Sequence, residues 1–371
     1  VISGNLEKVD VFFKGSPVGT LAALPNGKVA FAYAPSWLLA GFSISPLSLP
    51  LKQEVFIPKN DYFGGLFGVF GDSLPDGWGR LLTDRFLAKN GLDPNKITAL
   101  TRLSLLSPTG LGGLTYEPNF FDDDPSEKVD FDALRHDCDL VSQNGMADFD
   151  EIFRLGGSSG GARPKVHLTI DGKEWIVKFP LRYDPPEIGA MEFAYNEAAA
   201  EAGIEIPLHR LFPSALGPGY FGSERFDRTP EGRVHVLSLG GLLDISPTIP
   251  CLDYLGFLEL VSALTQDPNE VEKAFRVLCF NVEAQNVDDH AKNFSFLYDE
   301  MAKRYRLSPS YDLTPPLGKK EHEMMVNGTG LPSEADIKAV AKKALIRSSE
   351  AAKILSSVKK AVFPRLAPYL I

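Results

Sequence analysis

At 371 residues and 44% hydrophobic by count, with 25 Phe and 11 Tyr, the chain can build two or three domain cores and is not a disordered polymer. Its net charge of -10 disfavours non-specific nucleic-acid binding as its main work. The three cysteines, Cys138, Cys251 and Cys279, are odd in number and far apart, which argues against a disulfide framework or a Cys-rich zinc site and for a reducing compartment. No uncharged run reaches the roughly 18 apolar residues of a spanning helix. Residues 1–8 lack a secretory pattern, and also an initiating Met. These features set an expectation of a cytoplasmic protein with no membrane contact.

The N-terminal stretch reads as a small antiparallel sheet. Residues 6–13, 18–24 and 29–33 are short strands, separated by turns at Lys14-Gly15-Ser16-Pro17 and Pro25-Asn26-Gly27. Residues 42–57, with Pro46 and Pro50, read as irregular chain, and the Gly-containing apolar stretch 63–70 must sit against something. Asp72-Ser73-Leu74-Pro75-Asp76-Gly77-Trp78-Gly79 leads into a helix over 80–90, with Leu81, Leu82, Phe86 and Leu87 at helical spacing and Asn90-Gly91 as its stop. Further helices are expected over 96–106 and 130–140, and residues 108–113 form a Gly-rich loop. The run Asp122-Asp123-Asp124-Pro125 has consecutive acids and no nearby His, the pattern of a solvated loop and not of a metal site.

A different pattern begins at Phe153. Gly156-Gly157-Ser158-Ser159-Gly160-Gly161-Ala162-Arg163-Pro164-Lys165 precedes a strand at 166–170, a turn at Asp171-Gly172 and a strand at 175–180. Glycines interleaved with serines leave backbone N–H groups free to face an anion. The loop is not of the Walker A type, because no Gly-Lys-Ser/Thr ending opens a helix. Lys178 alternates with Ile176 on one strand face. It is either a snorkelling lysine or the strand lysine that pairs nucleotide phosphates. A helix over 190–203 offers two acids to such a lysine: Glu192 in its first turn and Glu197 in its middle. Gly203-Ile204-Glu205-Ile206-Pro207 is expected to end that helix and begin another strand, and the sheet around 152–240 is expected to be antiparallel. Helices follow at 254–264 and 268–285, the second burying Cys279, and one or two more at 334–358.

The sharpest signal is Asn286-Val287-Asp288-Asp289-His290-Ala291-Lys292-Asn293, charge and amide flanked by apolar stretches on both sides. Buried polarity of this kind is costly unless it is satisfied, and active sites accept that cost. Asp288 and Asn293 stand five apart, the offset at which kinases place a base and a metal-holding amide. Asn293 and Asp312, the latter within Ser310-Tyr311-Asp312, are hard oxygen ligands suited to Mg²⁺. Lys292 is placed to neutralise a transferring phosphoryl group. Asp289 is either a second ligand or a neighbour that tunes Asp288. Because His136, His167, His209, His235 and His322 share no metal-ligand spacing with His290, a His-based hydrolytic centre is disfavoured. The Gly–Ser stretch is not the Gly-x-Ser-x-Gly of a Ser–His–Asp hydrolase.

These motifs carry a resemblance. Lys14 to Leu21 and Phe70 to Gly79 resemble the N-terminal subdomain of the HipA-like serine/threonine kinases, the toxin components of bacterial toxin–antitoxin pairs. Ser158 to Lys165 resembles their Ser-x-x-Gly-Ala-x-x-Lys phosphate loop, with Pro164 at a variable position. Asn286 to Asn293 resembles their Asn-x-Asp-x-His-x-Lys-Asn loop and Tyr311-Asp312 their metal-binding pair; Glu323 and Asn327-Gly328 lie in a further similar stretch. The resemblance implies an α+β, protein-kinase-like two-lobed fold. Its expected parts are an N-terminal β-rich subdomain (1–150), a nucleotide-binding sheet (151–245) and a helical C-terminal lobe (246–371).

The resemblance also implies ATP and Mg²⁺ as cofactors and a protein Ser or Thr as acceptor. Asp288, Lys178, Lys292 and His290 would be catalytic. Gly157, Ser158, Ser159, Gly160, Gly161, Ala162, Lys165, Glu224 and Phe226 would contact nucleotide, together with Lys178, His290 and Lys292. Asn293 and Asp312 would hold metal, Glu192 would pair with the lysine, and Ser158 would be an autophosphorylation site. A phosphate there adds roughly -1.5 to -2 charge and would fill the anion loop. A small helix-turn-helix antitoxin is the expected partner, with DNA reached only through it. A stand-alone kinase, or an effector delivered into a host cell, is the other expectation. Two further readings are a phosphotransferase acting on a small-molecule hydroxyl and a nucleotide-holding pseudokinase.

Overall fold

The computed structural model describes residues 4–106, 109–120, 130–143, 149–246 and 252–370. The acidic run 122–125, Pro108 and Cys251 lie outside them. The chain divides into two compact units, Val1–Pro186 with Phe212–Ser246, and Glu187–Leu211 with Pro247–Ile371. Among the described residues no helix is long and apolar enough to cross a membrane.

The first unit opens with a five-stranded antiparallel sheet. In spatial order its strands are Val55–Phe56, Val29–Tyr33, Ser16–Ala23, Lys8–Phe13 and Leu114–Glu117. Alternation along these strands sends Val9, Val11, Phe13 and Leu21 inward, and Val18 is buried where the register shifts opposite Val11 and Phe12. The turn Lys14-Gly15 runs through the left-handed region, with φ 48° and 76°. The helix read from the Leu81–Leu87 spacing spans Gly77–Lys89, with Leu82 and Leu87 fully buried. The single helix expected over 96–106 is instead a 3₁₀ turn, Pro94–Lys96, followed by a short helix, Ala99–Leu103. Thr98 interrupts it, because its hydroxyl caps the second element by accepting from the Thr101 amide. The helix expected at 130–140 runs Phe131–Ser142. A further helix, Phe149–Gly156, was not legible; Ile152, Phe153 and Leu155 bury its apolar face.

The glycine-loop hairpin forms as read. Lys165–Ile170 pairs antiparallel with Lys173–Lys178 through Asp171-Gly172, both at positive φ (53° and 72°), the type I′ geometry that matches strand twist. Strand Tyr220–Glu224 adds to it antiparallel. Beneath lies a core of Trp78, Leu82, Cys138, Ile152, Val166, Trp175, Val177 and Phe179. No strand forms at 204–207; the next is His209–Phe212.

A buried ionic knot ties the first unit together. Arg225 donates two hydrogen bonds to Asp227, at 2.9 and 2.7 Å, and Arg228 donates a third at 2.8 Å. Arg225 also donates to the carbonyls of Thr109 and Gly110, and Asp227 accepts from the Gly112 amide at 2.7 Å, so the knot fixes the 109–113 loop. Burial alone would raise the Asp227 carboxyl, but Arg225 and Arg228 hold it well below the usual carboxylate range. Burial, reinforced by Arg225, pushes His167 well below its ordinary value.

The second unit is mainly helical: Ile188–Glu201, Tyr254–Thr265, Pro268–Glu283, Glu334–Lys343 and Ser348–Leu366, with one hairpin, Ser295–Asp299 and Arg304–Leu307. Ile188–Glu201 and Pro268–Glu283 both pack on the C-terminal helix Ser348–Leu366. Cys279 is a fully buried core thiol, as its place in the helical pattern suggests.

His235 supplies a pH test. It is fully buried, its Nε2 donates to the Ile44 carbonyl at 2.8 Å, and burial pushes its imidazolium down to about 4. The unfolded chain takes up this proton near pH ~6.5, so the contribution is complete above that value and is lost as pH falls toward 4. All three tryptophans (37, 78 and 175) are in the first unit, so their fluorescence follows that unit alone. Between pH 7 and pH 4 the stability it reports in urea titrations is expected to fall by about 3 kcal/mol more in the wild type than in His235→Gln.

Candidate active site

In the first unit, Gly156 closes a helix and Lys165 opens a strand, so the loop between them is held at both ends. Gly157, Ser158 and Ser159 are buried, the two serines only 6% and 2% exposed. Gly160 and Ala162 face solvent. The Ser159 hydroxyl donates to the Gly156 carbonyl at 2.6 Å, and Gly161 takes φ +84°, which a side chain would resist. Lys165 Nζ donates to the Gly160 carbonyl, folding the ammonium onto the loop.

Register sets what stands beside it. Lys165 is directly opposite Lys178, and His167 opposite Ile176, so these four side chains share one face of the hairpin at its loop end. That agrees with the alternation of Lys178 and Ile176 read from the sequence. Lys178 Nζ lies 5.7 Å from the centroid of the Phe221 ring. Glu224 is on the opposite face: it pairs in register with Trp175, and its carboxylate takes Lys173 Nζ at 2.8 Å. Phe226 is half-buried just beyond that strand.

In the second unit, the Asn286–Asn293 loop leaves helix Pro268–Glu283 and closes in a 3₁₀ turn, Ala291–Asn293. The two adjacent acids separate at once. Asp289 is buried (1% exposed) and accepts four hydrogen bonds: from Tyr254 Oη at 2.9 Å, His322 Nδ1 at 2.8 Å, and the amides of Glu323 and Met324 at 2.9 and 3.2 Å. A relay reaches it from the loop's first residue. Asn286 donates to Asn281 (2.9 Å), and Asn281 donates to Tyr254 (2.8 Å). Asp288 points the other way, its side chain 39% exposed and paired with Lys319, which also bonds Glu323.

The remaining loop residues are oriented by short contacts. His290 Nδ1 accepts from the Lys292 amide at 3.2 Å and caps the turn. Asn293 Nδ2 donates to the Asp288 carbonyl at 2.8 Å, which orients its oxygen away from that bond. Tyr311 Oη donates to the Lys292 carbonyl at 2.6 Å and is 2.6 Å from Ser295 Oγ. That contact sets Asp312 and Asn293 each one residue from its two ends. Asp312 adopts φ +58°, a left-handed conformation uncommon outside glycine. Of the two acids weighed as partners of Lys178, Glu197 is engaged by His209 (2.9 Å) and Arg365 (3.9 Å), whereas Glu192 is buried at 2% exposure. Among the described residues no three His, Cys, Asp or Glu side chains cluster as metal ligands. Sequence reasoning missed Lys319, Tyr254 and Asp76; the first two reach the loop across roughly thirty residues, a distance at which spacing carries no signal.

Taken together, a glycine-loop hairpin bearing a strand lysine and a helical unit bearing an acid–amide loop define an α+β protein of the HipA type. Residues 9–117 match the HipA N-terminal domain and residues 157–365 the HipA-like C-terminal domain; the chain belongs to the HipA family. It is 28% identical to each of two kinase candidates of Sinorhizobium fredii (strain NBRC 101917 / NGR234), Y4dM over 326 residues and Y4mE over 342, in both cases across 82% of this chain and 76% of the relative. Among solved structures it is similar to HipA of Shewanella oneidensis MR-1, determined with HipB and operator DNA. That match has a TM-score of 0.74 and 17% identity, over 97% of this chain and 90% of that one. The fold is therefore the HipA fold.

The division between the adjacent acids has a measurable consequence. Asp289→Ala leaves a buried hydroxyl, an imidazole and two amides without their acceptor. It is expected to cost about 3 kcal/mol in the helical unfolding followed by circular dichroism. Asp288→Ala, at a half-buried position whose carboxylate is paired with Lys319, is expected to stay within about 1 kcal/mol of the wild type.

Proposed function

We propose that this chain is a Mg-ATP-dependent serine/threonine protein kinase of the HipA type. The observation that carries the reading is the contrast at 288–289: one carboxylate is committed to the fold, and the other is presented outward by a loop whose geometry the first one fixes. Asp288 is thus the residue suited to accept the proton of an acceptor hydroxyl. The names of the Sinorhizobium relatives support a kinase reading.

The residues present suit the cofactors that this activity needs. Asn293, its nitrogen held by the Asp288 carbonyl, and Asp312 offer hard oxygens of the kind Mg²⁺ takes. The positive-φ Gly161 and the glycines around Ser158 leave a backbone surface without side chains, and Lys165 and Lys178 add two positive charges on the neighbouring strand face. When bound, Mg-ATP supplies the transferable phosphoryl group. Lys178, with Glu192 as its pairing acid, would bind the phosphates, Lys292 would neutralise the group in transfer, and His290 would hold the turn that carries Lys292 and Asn293. Glu224, whose side chain is turned to the opposite face and paired with Lys173, and Phe226, just beyond the strand, would contact the nucleotide through their backbone. Ser158 is the proposed autophosphorylation site; at 6% exposure it is reached only when the loop opens.

The Shewanella neighbour was solved with HipB and operator DNA, which supports a small DNA-binding antitoxin as partner here. With a net charge of -10, this chain would reach DNA through such a partner. The proposed setting is the bacterial cytoplasm.

Incubation with γ-labelled ATP and Mg²⁺, alone and with bacterial lysate, tests the reading. Label is expected on Ser158 and on at least one lysate protein, and Asp288→Ala is expected to lower both rates by about 10²- to 10⁴-fold. Asn293→Ala and Asp312→Ala should act similarly. Label confined to small metabolites would redirect the reading to a small-molecule acceptor, and undiminished transfer by Asp288→Ala would refute the base.

A further inference from the structure

The Asp72–Gly79 motif, which the catalytic reading leaves unused, is rooted at one end in the framework of the first unit. Asp72 accepts from the amide and hydroxyl of Ser238 at 2.7 and 2.6 Å, and Ser73 Oγ is 2.7 Å from Tyr116 Oη. Its other end grips the glycine loop. The Trp78 amide donates to the Gly161 carbonyl at 2.9 Å, the Gly161 amide donates to Asp76 Oδ1, and the Thr83 hydroxyl is shared between the Gly79 carbonyl at 2.8 Å and the Gly157 carbonyl at 3.2 Å. The approach is backbone to backbone, and the glycines on both sides make it possible. A Cβ at Gly79 would stand 2.1 Å from the Ser159 carbonyl oxygen, one at Gly77 2.4 Å from that of Gly161, and one at Gly156 2.9 Å from Trp78 Nε1.

We propose that residues Asp76–Thr83 are a latch that holds the glycine loop in its inward position, with Asp76 as the positioning residue. The latch occupies both polar groups of Gly161 and the carbonyl of Gly157, and it keeps Ser158 and Ser159 buried. Loop release, and with it access to Ser158, requires these bonds to part. The latch is independent of the nucleotide reading. Its consequence, that a loosened loop receives ATP less well, rests on the function proposed above.

Amide hydrogen exchange on the full nucleotide-free chain tests the latch directly. Asp76→Ala is expected to speed exchange of the 158–163 amides about tenfold, and Thr83→Val by a smaller factor, while the 8–23 strands exchange as in the wild type and report an intact fold. Asp76→Asn keeps an oxygen that can accept the Gly161 N–H and should stay near wild type. In calorimetry Asp76→Ala should weaken Mg-ATP binding about tenfold, with kcat at saturating ATP unchanged. Wild-type exchange in Asp76→Ala, or equal loosening in Asp76→Asn, would overturn the latch. Tighter Mg-ATP binding by Asp76→Ala would overturn positioning, since Asp76 would then be competing for the site of an anion. A wild type that binds no Mg-ATP would remove the nucleotide half and leave the exchange result to decide the latch.

Discussion

The second unit is organised by one buried carboxylate. Removing a charge from water is costly, and it persists only where donors replace the lost hydration. Asp289 is supplied with four, two of them backbone amides from the 323–324 segment, so loop and segment are held to each other by a group that neither could bury alone. The relay from Asn286 through Asn281 and Tyr254 extends this constraint into helices Pro268–Glu283 and Tyr254–Thr265. Once Asp289 is fixed inward, the peptide geometry leaves Asp288 facing outward. The exposed acid owes its orientation to the hidden one.

In the first unit the same problem is solved with cations. Arg225 and Arg228 surround Asp227, and the pair is closed by carbonyls at 109 and 110 and the amide of Gly112. Charges buried with near-complete hydrogen bonding contribute little net stability, but a missing partner is expensive. That asymmetry makes such knots selective: an alternative packing of the 109–113 loop would leave at least one charge unmatched. The strands and helices supply the apolar burial, and these polar knots decide how the irregular segments lie upon it.

What was legible in the chain was local. The Asp171-Gly172 turn demanded positive φ and so announced its hairpin; the spacing of Leu82 and Leu87 announced the face of their helix. The alternation of Ile176 with Lys178 is the face that register later shows shared with Lys165 and His167. The helix at 149–156 was hidden because its apolar residues merge into the glycine loop that follows. The strand expected to begin within 203–207 begins two residues later, at His209. Partnerships across distance left no local trace: Asp76 with Gly161, 85 residues apart, and Tyr254 with Asp289, 35 apart, are set by tertiary packing. The offset of five from Asp288 to Asn293 singled out Asp288 in the sequence, but that Asp289 is the buried member of the doublet is set by its neighbours in space.

A physical division of labour follows. Side chains and backbone groups whose hydrogen bonds are spent on the fold include Asp289, Asn286, Tyr311 and the amide of Gly161. Asp288 is the contrary case: its backbone carbonyl is held by Asn293, but its half-buried carboxylate is paired with Lys319, an interaction of the kind that contributes about 1 kcal/mol or less. Under the proposed function, an incoming hydroxyl would displace such a pair at small cost, whereas Asp289 is held by its four donors. In the function proposed above, the 286–293 loop would thus set a firmly held carboxylate and a displaceable one on adjacent residues.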